Sequence, residues 1–525
     1  MINKLQDMYI SMFTPFIRYS NRLSERFHYY GLTVCFVINI IMFCIVELVL
    51  RKENYFYNSF CGILLLFVII FLSLDKELKR IPWRRGICFF WFLTCILMTI
   101  SDVLIPKETC GLGLILGFLF TGVFFVWQNN SRRDLLWKAF KTSLRVTFDF
   151  MALVSFLFRP YFEGGRYAGV FTNPNTFGLY LTIIFCIFLS DMDWYVETNR
   201  PIRKQILSYM RLALVLFYVS VSQARTAMIA VVATFVCFII CRIIIDKKRK
   251  CHRPFLKALA CMLIITGVLY PVYFFALSNL PGFIGHPIVY HDDTLYMQSG
   301  EKIEDVGDLI LKEEARQKAE REAREKERLR LQSKENKGSD KEAATGSAVN
   351  PEKNTPLVKG NKISKNNVLV RFIDTLIISL SGGKEGDGMA KLNQLSSGRM
   401  TIYSAYKDDL NILGHKRISK KINGHVVAHA HNNWLQFGYT YGIPAMLSYT
   451  ALTILAFIWG IRFFFYGHRK YASFCLLPCA IIVSFLAATM TECLFQPFEV
   501  YPAFAFWFSF GEIFMKEKEE ERRKK

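Results

Sequence analysis

Three stretches of this 525-residue chain gather side chains able to bind an anion or move a proton. The first, Arg159 to Asn175 (RPYFEGGRYAGVFTNPN), offers Arg166, Asn173 and Asn175. The second, Ser220 to Thr226 (SVSQART), carries Arg225. The third joins SSGRMTIY, which holds Arg399, to HAHNNWLQFGYTYGIPAM, which holds His429, His431 and Asn432. Each has a plain alternative: Arg225 as a snorkelling arginine at a helix end, Arg166 as a loop charge, Arg399 as a surface residue at a helix start. His429 and His431 alternate, so an extended backbone puts both on one side, a beginning for a zinc site. No third ligand stands near them in sequence. A histidine beside two asparagines (Asn432, Asn433) better suits a general base, because imidazole titrates near working pH.

Other candidate motifs carry less. Asp191-Met192-Asp193 has the Asp-x-Asp form of metal-dependent sugar transfer, but it is expected on the cytoplasmic side as a solvated helix end. His291-Asp292-Asp293 reads as a polar loop. Gly111-Leu112-Gly113 with Gly117 lies in an apolar run and predicts close helix packing, not a nucleotide loop.

The elements that must position these residues follow from composition. The chain is 52% hydrophobic, 15% aromatic and 21% charged, with 48 Phe, which excludes an ordinary soluble protein. The apolar residues fall into blocks of about 17–25, long enough for a hydrocarbon layer of about 30 Å. Twelve helices are expected, at 31–50, 57–74, 86–105, 111–127, 139–158, 175–190, 205–221, 225–245, 255–278, 440–466, 471–490 and 499–514. The fifth, with Lys141, Arg145 and Asp149, and the seventh, with Arg211, each need snorkelling or a polar partner inside the bundle. The first apolar stretch, beginning near Gly31, has the length of a span and not of a cleavable signal peptide. Eleven of the fourteen cysteines lie in apolar runs, where thiols pack as small hydrophobes, and no disulfide framework is visible.

The net charge of +22 would suggest nucleic acid in a soluble protein. Here it orders the topology. With the N-terminus inside, every short inner connection is basic, as at Lys76 to Arg85, Arg132 to Lys138 and Lys247 to Arg253, which places both termini in the cytoplasm. The predicted plan is a membrane domain at 1–278, a large extracytoplasmic loop at 279–433, three further spans within 434–514, and a charged cytoplasmic tail at 515–525. The loop contributes little to the excess, holding 25 Lys and Arg against 21 Asp and Glu. Its middle, 301–365, reads as a solvated charged helix followed by a flexible tether, because apolar heptad positions are missing after Leu311. From about Val368 onward apolar periodicity returns, and that part is expected to fold against the membrane domain.

Taken together, the motifs resemble the O-antigen ligase/polymerase family of membrane glycosyltransferases. The likeness rests on Arg166…Gly169…Phe171…Asn173-Pro174-Asn175, on Ser222-Gln223-Ala224-Arg225-Thr226, on Ser397-Gly398-Arg399, and on His431-Asn432 followed by Gly442-Ile443-Pro444. It runs from about Arg159 to Met446; the charged insertion is outside the family pattern, and Ala445 stands where a different small or an aromatic residue is common. The resemblance implies an all-α, polytopic, GT-C-like fold in the bacterial cytoplasmic membrane with an extracytoplasmic active site. It implies an undecaprenyl-diphosphate-linked oligosaccharide donor, a glycan or lipid-linked acceptor, no metal, no cofactor and no nucleic acid. By the same resemblance His431 is the general base, Arg225 and Arg399 hold the departing diphosphate, and Arg166, Asn173, Asn175, His429 and Asn432 bind substrate.

Polymerase, ligase and transfer to protein hydroxyls share these residues. A flippase of lipid-linked sugars is the alternative from another class, and Glu47, Asp149, Glu492 and Glu499 would suit it. It predicts internal repeats, and none is evident between the two halves.

Overall fold

The computed structural model describes residues 2–284 and 399–514, apart from 51–54, 75–76, 108–110, 131–132, 162–165, 172, 199, 202, 204, 250–252, 423–424, 468–473 and 498–500. The chain forms two compact units, Met1–Asp292 with Ile402–Lys525, and Asp293–Thr401. Of the second unit only residues 399–401 are described; the 301–365 insertion, His291-Asp292-Asp293, the 368–398 stretch and the 515–525 tail lie outside the described residues.

Each of the twelve expected apolar segments is helical over nearly all of its described residues, the tenth with a break at Gly442. In chain order the helices are α1 (Ile2–Ser20), α2 (Glu25–Leu50), α3 (Tyr55–Ser73), α4 (Arg85–Leu104), α5 (Leu112–Asn129), α6 (Arg133–Phe158), α7 (Pro174–Glu197), α8 (Ile206–Ser222), α9 (Arg225–Arg249), α10 (Arg253–Ile284), α11 (Arg399–Asp408), α12 (Asn433–Tyr441), α13 (Ile443–Gly467), α14 (Leu476–Thr489) and α15 (Tyr501–Phe514). One small hairpin, β1 (Lys420–Ile422) and β2 (His425–Val427), pairs antiparallel with Lys421 opposite Val426. Among the described residues six helices are long and apolar enough to cross a membrane: α4, α5, α7, α9, α10 and α13. Val232, Ile264 and Phe275 stand exposed on α9 and α10, as side chains facing hydrocarbon do. The protein is an all-α membrane protein.

Several boundaries differ from the sequence reading, among them the start of α6 at Arg133 (expected 139) and the end of α7 at Glu197 (expected 190). Helix α10 continues to Ile284, six residues past the expected end at 278, because the apolar run persists through Leu280 and Phe283. The stretch from Ile402 onward belongs to the same compact unit as the membrane helices and contains the hairpin and all of α11 but its first three residues.

The centre of the bundle is α15, whose every residue is buried. Trp91 of α4, Phe124 and Trp127 of α5, and Trp137 of α6 pack their rings against Trp507, Phe508 and Phe510. In hydrocarbon no water drives helices together, so this interlocking and a few polar ties carry the association. Arg133 pairs with Glu512, and Trp137 donates its indole N–H to Glu512 Oε1 at 2.9 Å. Glycine allows the α4–α5 approach: a Cβ on Gly113 would sit 2.6 Å from the Cys95 carbonyl oxygen. The expected packing role of Gly113 holds.

Of the two expected resorts, snorkelling or a polar partner, the charged side chains of the fifth and seventh segments take the partner. Arg211 Nε donates to Asp149 Oδ1 at 2.9 Å, while Lys141 and Arg145 both pair with Asp191. Asp193, Glu197 and Asp246 surround Arg242, with its Nη1 3.0 Å from Asp193 and 2.5 Å from Glu197. Asp191 and Asp193 were expected as a solvated helix end. Instead they are buried, because α7 runs on to Glu197 and carries both carboxylates among the basic side chains of α6 and α9.

Candidate functional site

At the opposite end of α7 the first two motif stretches meet. Asn173 caps this helix: its side-chain oxygen accepts from the Asn175 N–H at 2.7 Å, and Pro174 occupies the first turn. Arg166 reaches both neighbours, donating through Nη2 to Asn175 Oδ1 at 2.5 Å and through Nε to the Ser222 carbonyl at 3.3 Å. The Tyr167 N–H bonds the Val221 carbonyl at 3.1 Å, so the first stretch lies along the end of α8. There Gln223 takes a left-handed conformation, φ 49°, and turns the chain sharply into α9, whose first residue is Arg225. Arg225 is exposed, and Thr226 behind it is buried.

The link to the histidine stretch is made by the segment after α14. Thr226 Oγ1 lies 2.9 Å from Thr491 Oγ1, and Glu492 follows. Glu492 Oε2 is 3.2 Å from His431 Nδ1 and 3.5 Å from His429 Nε2. The carboxylate is buried while both imidazoles are half-buried, with ring centroids 4.2 Å apart. Sequence reading found no third ligand for this histidine pair; Glu492, 61 residues after His431, brings a third donor close enough to share one cation. Its signal was a carboxylate at the end of an apolar helix, and nothing local tied it to the histidines.

Backbone geometry holds the pair in place. His431 sits at φ 50°, and it and Gln223 are the non-glycine residues with positive φ among those described. Such a conformation costs of order 1–3 kcal/mol and persists only where surrounding contacts enforce it. Here Tyr403 Oη lies 2.9 Å from the His431 carbonyl and 3.2 Å from that of Met490, sharing its proton between them. Asn432 caps α12 through the Leu435 N–H at 3.0 Å and donates to the Met490 carbonyl at 3.2 Å. Asn433 ties the same region to the bundle, donating to Tyr449 Oη at 2.6 Å and accepting the Leu494 N–H at 3.2 Å.

A small satellite core supports this platform. Tyr406 of α11, Ala430 and Tyr439 pack together, and burial pushes the Tyr406 phenol up, so it stays a donor to the Ile418 and Val427 carbonyls. Gly442 has φ 93°, and a Cβ there would stand 2.0 Å from the Ile412 oxygen. Gly442-Ile443-Pro444 is thereby a structural joint where the chain from Asn411 to Gly414 crosses the α12–α13 turn.

Of the expected site residues, the structure brings Arg166, Asn173 and Asn175 into one hydrogen-bonded group beside the Arg225 turn, and His429, His431 and Asn432 into another. Arg399 is the half-buried first residue of α11 and lies in the second unit. Glu492, Tyr403 and Thr491 are the polar residues that sequence reasoning did not place at the site. No family model, curated protein or solved structure matches this chain.

Proposed function

We propose that this protein is a membrane glycosyltransferase of the O-antigen ligase or polymerase type, moving a glycan from an undecaprenyl-diphosphate-linked donor to an acceptor hydroxyl. The observation that carries the reading is the Thr226–Thr491 contact, which sets the Arg225 turn beside the Glu492–His431 pair. Anion-binding and proton-accepting groups thus share one end of the bundle.

The chemistry follows from these groups. A proton on His431 Nδ1, directed at Glu492, leaves the Nε2 lone pair to accept the proton of the attacking hydroxyl. The hydroxyl oxygen bonds to the anomeric carbon as the carbon–oxygen bond to the diphosphate breaks, and the lipid diphosphate leaves with the electron pair. Arg225 and Arg166 stabilise the charge that develops there. Arg399 has the same role by the family resemblance. Asn173, Asn175, Asn432 and His429 orient sugar and diphosphate. In this proposal the twelve helices span the bacterial cytoplasmic membrane with both termini inside, and the site faces outward, where surface polysaccharide is assembled.

The test is to supply purified protein with a lipid-diphosphate oligosaccharide and follow the released lipid and the product length. Undecaprenyl diphosphate release with a new glycosidic bond supports the reading, and lengthening glycans identify a polymerase. His431→Ala and Arg225→Ala are expected to insert normally and to lose transfer. Translocation across vesicles with no bond formed would falsify it.

A further inference from the structure

We propose that His429, His431 and Glu492 form a binding site for a divalent transition-metal ion, with zinc as the best chemical match. Two imidazoles and one carboxylate are a donor set that this ion takes in open, three-protein-ligand sites. The distances suit an ion. Zinc held tetrahedrally at about 2.0–2.1 Å from each ligand sets neighbouring ligand atoms about 3.3–3.4 Å apart. Glu492 Oε2 stands 3.2 Å from one imidazole nitrogen and 3.5 Å from the other, and all three ligand atoms fall within 4.8 Å. One carboxylate oxygen thus lies near a nitrogen of each ring.

The site is also built to stay in shape without the ion. Glu492 is 8% exposed, and the left-handed backbone at His431 is clamped by the Tyr403 hydroxyl. Zinc takes imidazole ligands in their neutral form and carboxylates ionised. Both imidazoles are half-buried, and a zinc site with three protein ligands takes water as its fourth.

One consequence rests on the proposed function, whereas binding itself does not. An ion on Nδ1 of His431 keeps the ring proton on Nε2, so the imidazole can no longer accept a proton from the acceptor.

The experiment reads binding without substrate. The full chain, purified in detergent and stripped with chelator, is titrated with Zn²⁺ and separately with Co²⁺ as a spectroscopic probe. One tight equivalent is expected, with a cobalt spectrum free of thiolate charge-transfer absorption. Affinity should fall at least about tenfold in His429→Gln and in the isosteric Glu492→Gln, since losing even a supporting hydrogen bond costs a metal site that much. Thermal unfolding of the stripped proteins checks that each variant is folded. No bound equivalent, unchanged affinity in both folded variants, or a thiolate spectrum would overturn the proposal. Because no glycan is present, this outcome is separate from success or failure of the transferase assay.

Discussion

Thr226 and Thr491 touch hydroxyl to hydroxyl at 2.9 Å across 265 residues of sequence. Each is the neighbour of a charged residue, Arg225 on one side and Glu492 on the other, so this contact sets the spacing between those two residues. Replacing either threonine by valine removes a net of about 1 kcal/mol from the fold. The expected outcome is a lower transfer rate at saturating donor in Thr226→Val and Thr491→Val, with the double variant no worse than the singles. A double-mutant cycle on the rates reads this coupling; strict additivity would remove the contact from the mechanism.

Glu492 is expected to act through His431. Glu492→Gln keeps shape and a hydrogen-bonding group but loses the charge that holds the Nδ1 proton and stabilises the imidazolium. The transfer rate should drop by about 10- to 100-fold, in the range general-base assistance supplies. KM for the lipid diphosphate should change little, since the arginines are untouched. A KM effect without a rate effect would show that Glu492 serves binding instead.

Zinc should slow transfer, and a chelator should restore it, if His431 is both a ligand and the base. The measurement is the rate of undecaprenyl diphosphate release against free Zn²⁺. Inhibition should weaken in His429→Gln in parallel with the loss of zinc affinity; acceleration by zinc would show that the ion, and not the imidazole, activates the hydroxyl.

Gly442→Ala tests the joint under the site. The position has φ 93°, and the new methyl group would stand 2.0 Å from the Ile412 oxygen, backbone that cannot swing aside. Strain of the backbone alone is of order 1–3 kcal/mol, and the contact adds to it. A lower unfolding temperature and reduced accumulation in the membrane are the expected readouts.

Arg242→Met probes the far end of the bundle. It leaves Asp193, Glu197 and Asp246 gathered around a lost cation. Removing one partner of a buried pair costs about 3–5 kcal/mol. Thermal unfolding in detergent should show a large drop, partly recovered by adding Asp246→Asn. Unchanged stability would mean that these carboxylates are already neutral.

The sequence by itself determined the helical framework and the residue types of the site. Apolar runs of helical length must satisfy every backbone group internally, so each of the twelve expected segments is helical over nearly all of its described residues. That Lys141, Arg145, Asp149 and Arg211 need snorkelling or a partner was legible in the sequence, because a bare charge in hydrocarbon is costly; that each has a partner was not. Tertiary structure alone decided which partners meet. Asp191 and Asp193 read as a solvated helix end until α6 and α9 closed over them. His429 and His431 read as a pair without a third ligand until the segment after α14 brought Glu492 to one oxygen's reach of both. Period and composition are properties of neighbours along the chain. The Thr226–Thr491 and His431–Glu492 contacts join residues 265 and 61 positions apart, and only packing of the helices sets those distances.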